Sequence, residues 1–133
     1  MIGIDTNVLL RLLTEDDPAQ AAAVRRLLEP LDAVAESVLI NDIVLVETLW
    51  TLRRLYGFDR AGQAELLGQL LSALTFRFED RRVLSQALAL FTDSSADFSD
   101  CLIAAKNTQW GCASTATFDH AMASLAGVAL IKG

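Results

Sequence analysis

The sequence is poor in the residues on which several kinds of protein are built. Among 133 residues there are two cysteines, two prolines, one histidine and one tyrosine. Cys101 and Cys112 show no CxxC spacing and have no histidine cluster nearby. This excludes a disulfide scaffold, argues against a zinc centre and fits a reducing compartment. No apolar run approaches the roughly 18 residues of a membrane span. No basic stretch precedes an apolar one in the manner of a secretory leader, so the cytoplasm is the expected location. Basic residues are also scarce: 11 Lys and Arg stand against 17 Asp and Glu, a net charge of −6. Such a balance argues against nucleic acid, whose phosphates prefer a basic surface. The acidity has two readings. It serves solubility alone, or some of the acids form a metal site whose cation reverses the local field. Their positions decide, not their sum.

What is present is apolar. Hydrophobic residues make up 53 % of the chain, enough for one domain over residues 1–133 with a real core. There is no internal repeat, low-complexity tract or linker. Residues 2–5 read as a short buried strand and 6–13 as a helix. Asp16-Asp17-Pro18 opens a second helix toward Leu28, with an aspartate as cap and Pro18 near its first position. "SVLI" (37–40) reads as a strand. Asn41 or Asp42 caps a helix from Ile43 to Tyr56, which Gly57 stops. An amphipathic helix over 59–73, a strand in "LTFRF" (74–78) and helices at about 80–92 and 97–108 follow. "CAST" (112–115) reads as a weak strand, 119–125 as a short helix and "VALI" (128–131) as a final strand. Short apolar strands alternating with helices predict an α/β fold with a mainly parallel sheet. Ligands of such sheets bind at the carboxyl ends of the strands, so polar residues just after strands come first.

Four acids stand in unexpected places. Asp5 ends the first strand, within "MIGIDTNVLLRLL"; capping the next helix is one explanation, and Thr6 and Asn7 would also serve. Glu47 lies inside "IVLVETLW". Its helical neighbours are Ile43, Val44, Trp50 and Thr51, which predicts an apolar setting, and a buried carboxylate needs a partner or a metal. The alternative is that Glu47 reaches solvent or pairs with Arg53 or Arg54. Asp97 and Asp100 are three apart and share a helix face, an arrangement that costs about 0.2–0.5 kcal/mol for like charges. Asp97 would be comfortable in the first turn, where the helix dipole favours anions. Asp100 lies deeper, before the apolar "CLIAA". Asp119 follows a strand at a helix start, so capping explains it equally well. His120 reads as a surface residue. If these acids converge, two charges about 4 Å apart repel by about 4 kcal/mol at an effective dielectric near 20, so a cation is required. All-oxygen ligands suit Mg²⁺ or Mn²⁺, and such an ion with open water positions suits phosphoryl transfer.

The segments "IDTNVLLRLL", "VLVETLWTLRRLYG", "ADFSDCLIAAKN" and "TFDHAMASLAGV" resemble, in order and separation, those of PIN-domain proteins. They are most similar to the VapC-like toxin ribonucleases of bacterial type II toxin–antitoxin pairs. The resemblance covers essentially the whole chain. It implies a PIN-like (Rossmann-like) three-layer α/β/α fold with a parallel sheet of about five strands, usually in a homodimer. It places Asp5, Glu47 and Asp100 on three acidic metal-site positions and Asp119 on a fourth, more variable one. Thr6 matches a supporting hydroxyl residue, Asn7 the polar residue beside it, and Asp97 an accessory acid. The implied activity is Mg²⁺- or Mn²⁺-dependent endonucleolytic cleavage of RNA, leaving 5′-phosphate and 3′-hydroxyl ends. The implied partner is a small VapB-like antitoxin, for which an acidic chain is suited if the antitoxin is basic. "CAST" is less apolar than the family's strand at that point, Cys101 stands where Ala is common, and Asn41 where Ser or Thr is frequent.

Arg11, Arg53, Arg54 and Lys106 lie near these motifs and are candidates for phosphate contacts, ordinary surface charge being the other reading. Two competing functions remain in view. A phospho-accepting receiver domain is also a small α/β protein with clustered acids and Mg²⁺. It wants adjacent acids after its first strand, where this chain has Asp5-Thr6, and a central acid after a strand rather than within a helix. A catalytically inactive PIN scaffold would not need all the acids that are present.

Overall fold

Local signals place most element boundaries. The computed structural model describes all residues, Met1–Gly133. In chain order the elements are β1 (Ile2–Gly3), α1 (Thr6–Leu13), α2 (Pro18–Leu28), β2 (Val38–Leu39), α3 (Asp42–Tyr56), α4 (Arg60–Ser72), β3 (Phe76–Arg77), α5 (Arg81–Thr92), α6 (Phe98–Gln109), β4 (Thr115–Thr117) and β5 (Val128–Leu130). Single turns of 3-10 helix occupy Glu29–Leu31 and Met122–Ser124. The chain divides into two units, Met1–Phe58 with Gln69–Glu79, and Asp59–Gly68 with Asp80–Gly133.

In the first unit β1, β2 and β3 form a parallel sheet in that order. Ile2 pairs with Val38 and Val38 with Phe76; Gly3 pairs with Leu39 and Leu39 with Arg77. Single bonds from Ile4 N to Leu39 O and from Ile40 N to Arg77 O carry the pairing one residue further. The helices start where a side chain satisfies an otherwise orphaned amide. Asp17 Oδ1 accepts from Gln20 N at 3.1 Å, with Pro18 at the first helical position of α2. Asn41 Oδ1 accepts from Val44 N at 2.9 Å and caps α3. At the other end of α3, Gly57 takes φ +69°, and its amide bonds back to Leu52 O. Only glycine adopts that left-handed turn without strain. Leu9, Leu45 and Leu52 are buried, each contributing about 1.5–3 kcal/mol of transfer free energy.

In the second unit α5 packs along α6. Asp80 caps α5 through Arg82 N and Val83 N, and its other oxygen accepts from Gln109 Nε2 at 2.6 Å near the end of α6. These bonds hold the Asp80 carboxyl below its ordinary value. β4 and β5 pair in parallel, Thr115 with Val128 and Thr117 with Leu130.

Two expectations near the C-terminus are corrected. "CAST" is not a strand: β4 begins at Thr115, the last of its four residues. Helix α6 runs on to Gln109, and Gly111, at φ +90°, turns the chain. The segment 112–114 is therefore a connection, and pairing starts only where Thr115 N meets Gly127 O. The helix expected over 119–125 is reduced to the 3-10 turn Met122–Ser124. Gly127, at φ +77°, and the start of β5 at Val128 leave no room for a second turn. One mainly parallel sheet of about five strands is expected; the five strands all pair in parallel but fall into two sheets, three strands in one and two in the other.

Candidate active site

In the first unit the chain leaves β1 through the buried Ile4 and reaches Asp5 in an extended conformation, φ −92° and ψ 179°. Asp5 Oδ1 accepts from Val8 N at 3.0 Å, so Asp5 does cap α1. Its second oxygen is not needed for that bond. Thr6, the first residue of α1, donates its hydroxyl to Glu47 Oε1 at 2.8 Å. The beginning of α1 and the middle of α3 are thus joined through the two residues that the sequence picked out there. Asn7 beside them is exposed.

The apolar setting expected for Glu47 is not found. Glu47 is exposed, and so are two of the neighbours that suggested burial, Ile43 at 70 % and Trp50 at 58 %. The buried side of α3 is Val44, Leu45, Thr48, Leu49 and Leu52. Glu47 belongs to the opposite face, so it needs no buried partner.

The basic candidates in this unit differ in their engagements. Arg11 lies 3.5 Å from Asp16 Oδ1 and donates to Gln20 Oε1 at 2.6 Å, which ties α1 to α2. Arg54 stands over the Trp50 ring at 5.4 Å from its centroid. Such cation–π stacking leaves the guanidinium edge able to donate. Arg53 is exposed.

In the second unit Asp97 is the N-cap residue of α6, Asp100 lies in its first turn and Asp119 opens the turn before Met122–Ser124. Asp119 Oδ1 accepts from Met122 N at 2.9 Å, a local bond at the start of the 3-10 turn in place of the expected helix cap. Burial pushes the Asp100 carboxyl up, and the negative charges of Asp119 and then Asp97 push it further in the same direction. Asp100 therefore lies within the field of both carboxylates. Cys101 is wholly buried and its thiol is raised, mainly by burial, which fits a packing role in place of a small residue. Lys106 is half-buried in the last turn of α6, and His120 is exposed.

A family model for the PIN domain matches residues 2–128. The chain belongs to the PIN-domain family. A VapC ribonuclease from Aquifex aeolicus (strain VF5) is 24 % identical over 115 residues, covering 86 % of this chain and 84 % of that protein. The PIN family carries the α/β fold of parallel strands and helices that the sequence predicted.

No three His, Cys, Asp or Glu side chains stand together closely enough to form a ready-made metal cage. The donor chemistry within each unit nonetheless fits a hard divalent ion. Glu47 is held by a neutral hydroxyl rather than neutralised by a cation. Asp100 is disfavoured as an anion by two other carboxylates, a cost that a bound cation removes. Sequence reasoning found every acid described here. It missed Arg60, whose three partners are backbone carbonyls and carry no residue-type signal.

Proposed function

We propose that this PIN-domain protein is a Mg²⁺- or Mn²⁺-dependent endoribonuclease, the toxin of a VapBC-type toxin–antitoxin pair. The observation that carries the proposal is the bond from Thr6 to Glu47, one residue from Asp5, in a chain whose PIN match spans 2–128. The similarity to a VapC ribonuclease supports RNA as the substrate. The match runs through both units, which supports a single functional domain over 1–133.

In this reading the carboxylates of Asp5, Glu47 and Asp100 hold the cation and Asp119 completes the set or orients water. When bound, the ion supplies a water of lowered pKa and offsets charge on the phosphoryl oxygens. Thr6 fixes one Glu47 oxygen in place. Asp5 is fixed by its cap bond to Val8. Asp97 adds negative charge beside Asp100, which raises the cost of leaving the site without a cation. Arg54, stacked on Trp50 on the exposed side of α3, and Arg53 and Lys106 contact RNA phosphates. Arg11, which reaches Asp16 and Gln20, is a further candidate for such a contact.

The finer assignments follow the same reading. A homodimer is what the resemblance to VapC-like PIN proteins implies. The net charge of −6 supports a basic VapB-like antitoxin. No helix is long and apolar enough to cross a membrane, which accords with action in the cytoplasm. The receiver alternative has no support beside the PIN match, and Glu47 does lie within a helix.

The test is cleavage of a defined RNA by the purified chain after chelation. Cleavage that is lost on chelation, returns with Mg²⁺ or Mn²⁺ and leaves 5′-phosphate ends supports the proposal. Cleavage at the same rate in excess chelator contradicts it.

A further inference from the structure

Arg60, the first residue of α4, spends its guanidinium on backbone carbonyls. Nη1 donates to Ala96 O at 2.8 Å, and Nη2 donates to Phe91 O at 2.6 Å and to Ser94 O at 2.8 Å. The guanidinium also lies over the Phe91 ring, 4.0 Å from its centroid. Phe91 in turn meets Phe98 edge-on, with centroids 6.0 Å apart and planes at 84°. Both rings are buried. One cation therefore gathers the end of α5, the loop 93–97 and, through Phe91, the first residue of α6.

That anchorage matters because of how α6 begins. Asp5, Asp17, Asn41 and Asp80 each cap their helix with a side-chain bond. Asp97 is the cap residue of α6 and makes no such bond. A side-chain cap normally fixes the entry of the chain into a helix. Here the entry is fixed from outside, by Arg60 on the carbonyls of Phe91, Ser94 and Ala96. The last of these belongs to the residue just before Asp97. Ser94 adds to the same brace, since Ala96 N donates to its Oγ at 3.3 Å.

We propose that Arg60 is a positioning residue: by bracing the loop 93–97 it sets where Asp97 and Asp100 stand, and hence how tightly the site holds its divalent cation. This rests on the reading in which Asp100 is a metal ligand. Lysine cannot replace Arg60, because a planar fork is needed both to reach divergent carbonyls and to lie flat on Phe91. Residues that orient ligands from outside commonly govern affinity rather than chemistry.

The experiment is Mn²⁺ binding to the full chain without RNA, read by the electron paramagnetic resonance signal of free Mn²⁺, for wild type, Arg60→Lys and Asp100→Asn. Arg60→Lys is expected to bind Mn²⁺ about tenfold more weakly. Its amides at 96–101 should exchange hydrogen faster, and RNA cleavage should recover toward wild type at high Mn²⁺. Phe91→Leu removes the stack but leaves the carbonyl bonds, and should shift affinity less in the same direction; it decides the matter if Arg60→Lys does not fold. Wild-type Mn²⁺ affinity in folded Arg60→Lys, or in Phe91→Leu where that variant decides, overturns the role of Arg60 if Asp100→Asn binds weakly. Wild-type affinity in Asp100→Asn removes the metal assignment itself, and the proposal with it.

Discussion

Thr6 Oγ1 donates to Glu47 Oε1 at 2.8 Å across 41 positions of sequence. One hydroxyl thereby selects one orientation of the carboxylate on an otherwise solvent-facing stretch of α3. Thr6→Val keeps the shape of the side chain and removes the donor. The expected outcome is a rise of about ten- to a hundredfold in the Mg²⁺ concentration needed for half-maximal RNA cleavage, with Thr6→Ser close to wild type. A metal titration of the cleavage rate checks it, and an unchanged midpoint in Thr6→Val would separate Thr6 from the site.

The pH dependence follows from Asp100. Its carboxyl is raised above the ordinary value of 3.8 by burial and by the charges of Asp119 and Asp97. In the proposed site a cation needs the ionised form of Asp100, so affinity is expected to fall as pH drops through the raised value. Asp97→Asn removes one of the repelling charges, lowers the Asp100 value and moves the acid limb of the rate profile to lower pH. The stability effect has the opposite sense. The native state holds this proton more tightly than the unfolded chain, so without metal stability declines as pH rises from 3.8 through the raised value. Saturating Mg²⁺ should offset that decline. Melting curves across this range, with and without Mg²⁺, read it directly.

The helix that carries Glu47 depends on Asn41. Asn41→Ala removes the cap bond to Val44 N and should cost about 1 kcal/mol of unfolding free energy. Asn41→Ser keeps a capping oxygen and should cost less. Chemical denaturation of the two variants measures the difference.

A tie between α1, α2 and α3 is expected to be pH-sensitive in the other direction. Asp16 accepts from Tyr56 Oη and from Thr14 Oγ1, and Arg11 lies beside it. The Tyr56 bond is foremost in holding its carboxyl below 3.8, with Thr14 and Arg11 adding to it. Stability from this group is present above pH 3.8 and lost as pH falls through the lowered value. Tyr56→Phe should therefore melt lower than wild type at neutral pH, with the gap closing in acid.

The sequence was most legible where structure is set locally. Asp17-Pro18, Asn41 and Gly57 mark helix ends through bonds to residues three to five positions away, and they stand where predicted. "CAST" misled because Thr115 owes its strand to Gly127 and Val128, which are remote in sequence. Glu47 misled in another way. Ile43 and Trp50 flank it at helical spacing, yet which side of α3 is buried is decided by packing, and both ended exposed. The acids of the candidate site were all visible as carboxylates out of place. The contacts around them were not, because Thr6 reaches Glu47 from a distant segment and Arg60 binds carbonyls that every residue possesses.

Asp5→Asn gives the most direct test of the central claim. Asn caps a helix about as well as Asp, so the bond to Val8 N and the start of α1 survive while the charge is lost. The measurement is Mn²⁺-dependent cleavage of a defined RNA by the purified wild type and Asp5→Asn, matched for melting temperature. A fall of more than about a hundredfold in rate, with 5′-phosphate ends only in the wild type, is the result this reading predicts. Equal rates from two equally folded proteins would contradict it.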